Sequence, residues 1–163
     1  MGVSGCGKTV VGKALAKQLD CPFLEGDDFH PPENKAKMSS GTPLDDDERV
    51  DWMVALRTAM GKLPSIGVLS CSALKRKHRV YLSDFPRPVI YLHLTGDRAL
   101  LEKRISSRTE HFFDPKLLGS QLEALETPDE NEESITLQID DSIENIVAGA
   151  LVHLKTYGLY PPS

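Results

Sequence analysis

Gly2-Val3-Ser4-Gly5-Cys6-Gly7-Lys8-Thr9 is the stretch that decides the fold. It satisfies G-x-x-x-x-G-K-[ST], and a segment with helical apolar spacing at Val11, Ala14, Leu15 and Leu19 follows at once. A polyphosphate needs converging donors at close range. Glycines let the backbone curl so that successive N–H groups point inward, and the following helix adds positive potential at its amino end. Lys8 then reaches the β and γ phosphates, and the Thr9 hydroxyl ligates Mg²⁺. Gly2, Val3, Ser4, Gly5, Cys6, Gly7, Lys8 and Thr9 are the expected ATP-binding residues, with Lys8 also catalytic and Thr9 the metal ligand. At average composition the four fixed positions coincide by accident in on the order of one chain in a few hundred.

Outward from this loop, short apolar runs alternate with helical stripes, the pattern of an α/β sheet. The runs Pro22 to Glu25, Ile66 to Cys71, Val89 to Leu94 and Ile135 to Ile139 read as buried parallel strands. Helical stripes recur at Met53, Leu56 and Met60 and at Ile143, Ile146, Val147, Ala150, Leu151 and Leu154, where Asp141 and Glu144 offer a start signal. The expected fold is a three-layer P-loop kinase domain over residues 1–163, a parallel sheet flanked by helices, with a polar lid at about 106–114 and a loose tail at about 157–163. In that fold the loop hangs from the carboxyl end of a buried central strand, yet only Met1 precedes Gly2. The expectation is a shortened form whose first, central strand is missing, with unpaired backbone on both neighbours, low stability and weak activity.

Composition narrows the function. The 163 residues suit one domain with a substantial core, and a net charge of −5 carries no basic footprint for nucleic acid. No apolar run approaches the roughly 20 residues of a bilayer span, and no signal peptide is visible, so no membrane partner and a cytoplasmic location are expected. Cys6, Cys21 and Cys71 form no C-x-x-C pair and read as thiols in a reducing compartment. Cys6, near a helix amino end, is a candidate for a reactive thiol.

Candidate chemistry gathers at predicted strand ends, where open α/β sheets bind ligands. Asp27, in Gly26-Asp27-Asp28-Phe29-His30, suits the carboxylate that orients an acceptor hydroxyl and takes its proton. Asp28 has a second reading as a helix cap, and His30, before Pro31-Pro32, reads equally as substrate contact or turn residue. In Leu44-Asp45-Asp46-Asp47-Glu48-Arg49 the acids, Asp46 and Glu48 above all, read as the first turn of the helix carrying Trp52, whereas Arg49 suits a substrate carboxylate or an ion pair. Lys75, after Cys71-Ser72-Ala73-Leu74, faces an anionic acceptor, while Arg76 and Lys77 read as a solvated helix face. Arg104 and Arg108 suit a lid that closes over ATP and stabilises charge on the transferring group.

Taken together these stretches resemble gluconate kinase of the P-loop type, a relative of shikimate kinase. The resemblance rests on Met1 to Thr9; Gly26 to Pro31; Asn34 to Met38; Gly41-Thr42-Pro43-Leu44 with Asp45, Asp47, Arg49 and Trp52; Cys71 to Lys75 with Arg79; His111-Phe112; and Gln121, Glu123, Leu125, Glu126 and Pro128. It implies transfer of the ATP γ-phosphate to the 6-hydroxyl of D-gluconate, with Mg²⁺, usually in a soluble homodimer feeding the pentose phosphate pathway. Carried onto this chain, it implies that Asp27 orients the hydroxyl, that Arg49, Lys75 and Arg79 contact gluconate, and that Arg104 and Arg108 belong to the lid. Three positions depart from the family pattern: Glu25 where aspartate is common, His78 for a usual tyrosine, and Glu110 where glycine is frequent. A shikimate kinase would show a glycine run where Cys71 to Lys75 stands.

Overall fold

A computed structural model describes residues 1–107 and 116–159. Each apolar run forms a parallel strand, and the strands associate as two pairs. β1 (Phe23–Glu25) lies beside β2 (Val68–Ser70), and β3 (Tyr91–Thr95) beside β4 (Ser134–Gln138). The described residues 1–7 contain no strand. Met1 and Gly2 nevertheless tie the pairs together. The Met1 nitrogen donates to the Leu92 carbonyl at 2.6 Å, Leu94 N–H donates to the Met1 carbonyl at 3.0 Å, and Gly2 N–H donates to the Ser72 carbonyl at 3.2 Å. Along the line these residues begin, the two half-sheets part around an apolar cavity of about 400 Å³ lined by Val11, Leu15, Val68, Ile90 and Leu92 among others.

Helices cover both faces. One apolar cluster joins α1 (Lys8–Gln18), α5 (Arg98–Ser106) and α7 (Ile143–Leu154) to β3 and β4 through Leu15, Leu94, Leu101, Ile135 and Val147. The other gathers Trp52, Met53, Leu56 and Met60 of α3 (Val50–Gly61) with Leu82 of α4 (Arg76–Ser83) and Tyr91. Between β1 and α3 run a short 3₁₀ turn (Gly26–Phe29) and α2 (Pro32–Ser39); α6 (Lys116–Ala124) precedes β4.

Several boundaries differ from the sequence reading, each for a local reason. α7 is capped by Ser142, whose hydroxyl accepts Asn145 N–H at 3.2 Å, while Asp141 stands one residue earlier and accepts from Ser142 N–H and the Asn145 amide. Asp28 caps no helix: α2 starts at Pro32, whose fixed φ suits a first turn. The acidic run 45–48 is not in the first turn of α3, which starts at Val50. Asp45 and Glu48 instead exchange backbone-to-carboxylate hydrogen bonds of 2.8 and 2.9 Å, and Lys37 pairs with Glu48 at 2.6 Å. The tail is docked as far as Leu159, which packs on the first cluster and donates N–H to the Leu154 carbonyl. Most of the lid segment, with Arg108 and Glu110, lies outside the described residues.

Candidate active site

The loop predicted to cradle phosphate is curled as its glycines require. Gly5 sits at φ +83°, and a Cβ there would lie 3.0 Å from the Leu101 carbonyl oxygen; a Cβ on Gly2 would lie 2.6 Å from that of Leu94. α1 begins at Lys8, directly after the curl, so its free N–H groups face the loop. Lys8 Nζ donates to the Val3 carbonyl at 3.1 Å, which folds the lysine over the loop. Thr9 Oγ1 donates to Glu25 Oε2 at 2.6 Å, tying the loop to the end of β1 and placing two hard oxygen donors side by side. Cys6, the candidate reactive thiol, is 1% exposed and belongs to the core beneath the loop, where a reagent has little access to it.

Asp27 lies in the 3₁₀ turn at the end of β1, exposed, and among the described residues its carboxylate carries no hydrogen bond or ion pair. The turn beneath it is rigidly placed. Trp52 Nε1 donates to the Gly26 carbonyl at 2.8 Å, and Gly26 approaches β2 so closely that a Cβ would lie 2.2 Å from the Ser70 carbonyl oxygen. Cys71, at the end of β2, is pushed up to about 11 by burial and lies within the electrostatic reach of both Asp27 and Lys8. The predicted acceptor carboxylate and the loop lysine therefore converge on one end of the β1–β2 pair.

His30 is not an open contact residue. It is 6% exposed and stacked on Trp52, with ring centroids 4.3 Å apart and planes 10° apart. Its Nδ1 has no partner among the described residues, and burial, then Arg49 and Lys35, lowers its pKa to about 4.

The cations separate into distinct roles. Arg49 is half-buried, with Nη2 donating to the Leu44 carbonyl at 3.3 Å; burial draws its pKa down against the pull of Asp46 and neighbouring groups. Lys75 points at Asp46, with contacts of 2.9 and 3.0 Å to its two oxygens. Arg79, expected to touch substrate, is 1% exposed: it meets Glu132 at 2.5 and 2.8 Å and the Ala73 and Leu74 carbonyls at 3.1 Å each. It holds the turn that presents Lys75, and its donors are committed within the protein. Arg104 borders the loop, 3.9 Å from a Cβ position at Gly7, and donates to the Ile139 carbonyl at 2.6 Å. Gln121 of α6 is a site residue to which sequence reasoning gave no role. Its Oε1 accepts Ser4 N–H at 2.7 Å, a loop donor, across a separation of 117 residues that no local spacing reveals.

A glycine-curled G-x-x-x-x-G-K-T loop that opens a helix, an unpaired carboxylate after β1 and a cation cluster near the same parallel strand pair form the arrangement of a small-molecule kinase of the P-loop class. The sequence pattern of the family described as shikimate kinase matches residues 4–148. The thermoresistant gluconokinase of Escherichia coli is 38% identical, over 95% of this chain and 91% of its own. The gluconokinase of Gluconobacter oxydans is 41% identical, over 95% and 89%. A crystal structure of a gluconokinase from Sinorhizobium meliloti superposes with a TM-score of 0.88 at 40% identity, covering 96% of this chain and 90% of that one. The chain belongs to the shikimate kinase family and, within it, to the gluconokinases. Among the described residues no helix is long and apolar enough to cross a membrane.

Two outcomes follow from these placements. His30 has a folded pKa near 4 against an ordinary 6.5, so the native state binds fewer protons than the unfolded chain between those values. Its contribution to stability is complete above pH 6.5 and is lost as pH falls towards 4; urea midpoints should drop across that window, with a shallower slope in His30→Phe. Arg79→Met should destabilise the fold by about 3–5 kcal/mol, by leaving the Glu132 carboxylate unpaired. A destabilisation below 1 kcal/mol together with a large rise in acceptor KM would restore Arg79 as a substrate contact.

Proposed function

We propose that this chain transfers the γ-phosphoryl group of ATP to the 6-hydroxyl of D-gluconate, giving 6-phosphogluconate and ADP. The observation that carries the reading is the unpaired Asp27 carboxylate after β1, which with Lys8 and Arg49 lies within electrostatic reach of Cys71 at the end of β2. In the transfer, the gluconate oxygen forms a bond to the γ-phosphorus as the bond to the β–γ bridging oxygen breaks, and the hydroxyl proton passes to Asp27. Lys8 and the loop N–H groups meet the phosphates, with Arg104, and Arg108 of the lid, adding charge on the γ side. Arg49 and Lys75 meet the carboxylate of gluconate. His30 supports the Asp27 turn through Trp52.

The Thr9 hydroxyl beside the Glu25 carboxylate fits Mg²⁺, a hard cation that takes oxygen ligands and keeps waters. Bound there, it would screen the phosphate charges; the longer arm of Glu25, compared with the common aspartate, suits contact through a metal-held water. A homodimer in the cytoplasm is part of the same proposal and follows only from the resemblance to the gluconate kinases.

Coupled ADP release across gluconate, shikimate, glycerate and nucleoside monophosphates tests the acceptor. Gluconate alone should drive turnover, and Asp27→Asn should lower kcat by about 10²–10⁴-fold with a small change in the KM for ATP. Saturable ATP binding without gluconate-dependent ADP release, or faster turnover with another acceptor, would contradict the proposal.

A further inference from the structure

Four basic residues crowd the amino end of α4: Lys75 just before it, then Arg76, Lys77 and Arg79. The helix dipole makes this the unfavourable end for positive charge, so each cation needs an anion. Arg76 meets Asp129 at 2.8 Å and Arg79 is clamped by Glu132, both from the segment after α6. Lys75 and Lys77 are answered differently. Asp46, from the turn before α3, bonds Lys75 through both oxygens at 2.9 and 3.0 Å and Lys77 at 2.5 Å, with His78 Nε2 at 3.6 Å. Among the described residues it is the acid paired with these two lysines. Hydrogen bonds from Lys77, then Lys75, hold its carboxyl well below the usual carboxylate range. It stands three residues before Arg49 and, with Arg49, Lys77 and His78, lines a cleft of about 260 Å³.

We propose that Asp46 is a positioning residue for acceptor recognition: by bonding Lys75 and Lys77 together beside Arg49, it keeps three cations converged on the carboxylate of the sugar acid. This rests on the reading of gluconate as the acceptor. Asp47 lines the same cleft, and the two acids against Arg49, Lys75 and Lys77 still leave the cluster net positive; each ammonium has three donors, so N–H groups remain for an incoming anion. Without Asp46 the like charges repel, and the flexible lysine stems carry them apart into water. The same residue could be read as an internal competitor that occupies the lysines until substrate displaces it. The two readings give opposite signs on removal.

Steady-state kinetics with gluconate, and with gluconamide as a probe lacking the carboxylate charge, distinguish them. Asp46→Asn should raise the KM for gluconate about tenfold or more, leaving kcat and the KM for ATP within about twofold, and Asp46→Glu should recover most of the loss. The KM for gluconamide should change little, and the urea midpoint should hold, because the side chain is 38% exposed. Lys77→Met, which keeps the Asp46–Lys75 pair, should give a smaller rise with the same pattern and serves if Asp46→Asn folds poorly. An unchanged or lower KM for gluconate in Asp46→Asn, or an equal rise for gluconamide, overturns the proposal alone. Absence of gluconate-dependent ADP release in the unmodified chain overturns the acceptor assignment, and this inference with it.

Discussion

The curl of backbone between Gly2 and Gly7 depends on being held from three directions. Below, Met1 and Gly2 hydrogen-bond to both half-sheets; to one side, Thr9 is tied to Glu25 at the end of β1; above, Gln121 accepts the Ser4 N–H. Each anchor reaches a different element, so the loop is positioned by the sheet and by α6 together. The Ser4 N–H is committed to Gln121, so this anchor fixes the shape of the loop from the α6 side and leaves the other loop N–H groups to meet an anion. The acceptor side depends on the same frame. Asp27 follows Glu25 after one residue, and Trp52 pins the turn between them.

Met1 and Gly2 hydrogen-bond to both strand pairs, and an apolar cavity of about 400 Å³ lies beside them. The position of the loop and the packing of the strand pairs are therefore linked.

Much of this was legible in the chain itself. Short buried apolar runs located the four strands seen among the described residues to within a few residues, because a parallel strand covered on both faces has little freedom in composition. The loop motif was legible because phosphate binding demands glycine, lysine and a hydroxyl at fixed spacing. The fates of the charged residues were not. Arg79 and Lys75 are four positions apart and look alike in sequence, yet one is enclosed by Glu132 and the other, half-buried, is paired with Asp46; Glu132 lies 53 residues beyond Arg79. Asp46 was misread as a helix-dipole acid because α3 begins at Val50, a boundary decided by the Asp45–Glu48 exchange. Gln121 gave no local signal, and its contact with Ser4 exists only once α6 is packed. Charge pairs across a fold are set by tertiary placement, which periodicity does not encode.

The account stands on residues 2–9 receiving the polyphosphate of a magnesium nucleotide. Isothermal titration of the intact chain with Mg-ATP analogue that cannot be hydrolysed measures this directly. The account predicts saturable binding near one equivalent, abolished or weakened at least about tenfold by Lys8→Met with folding unchanged. No heat of binding in the unmodified, folded chain, or equal affinity in Lys8→Met, would contradict it.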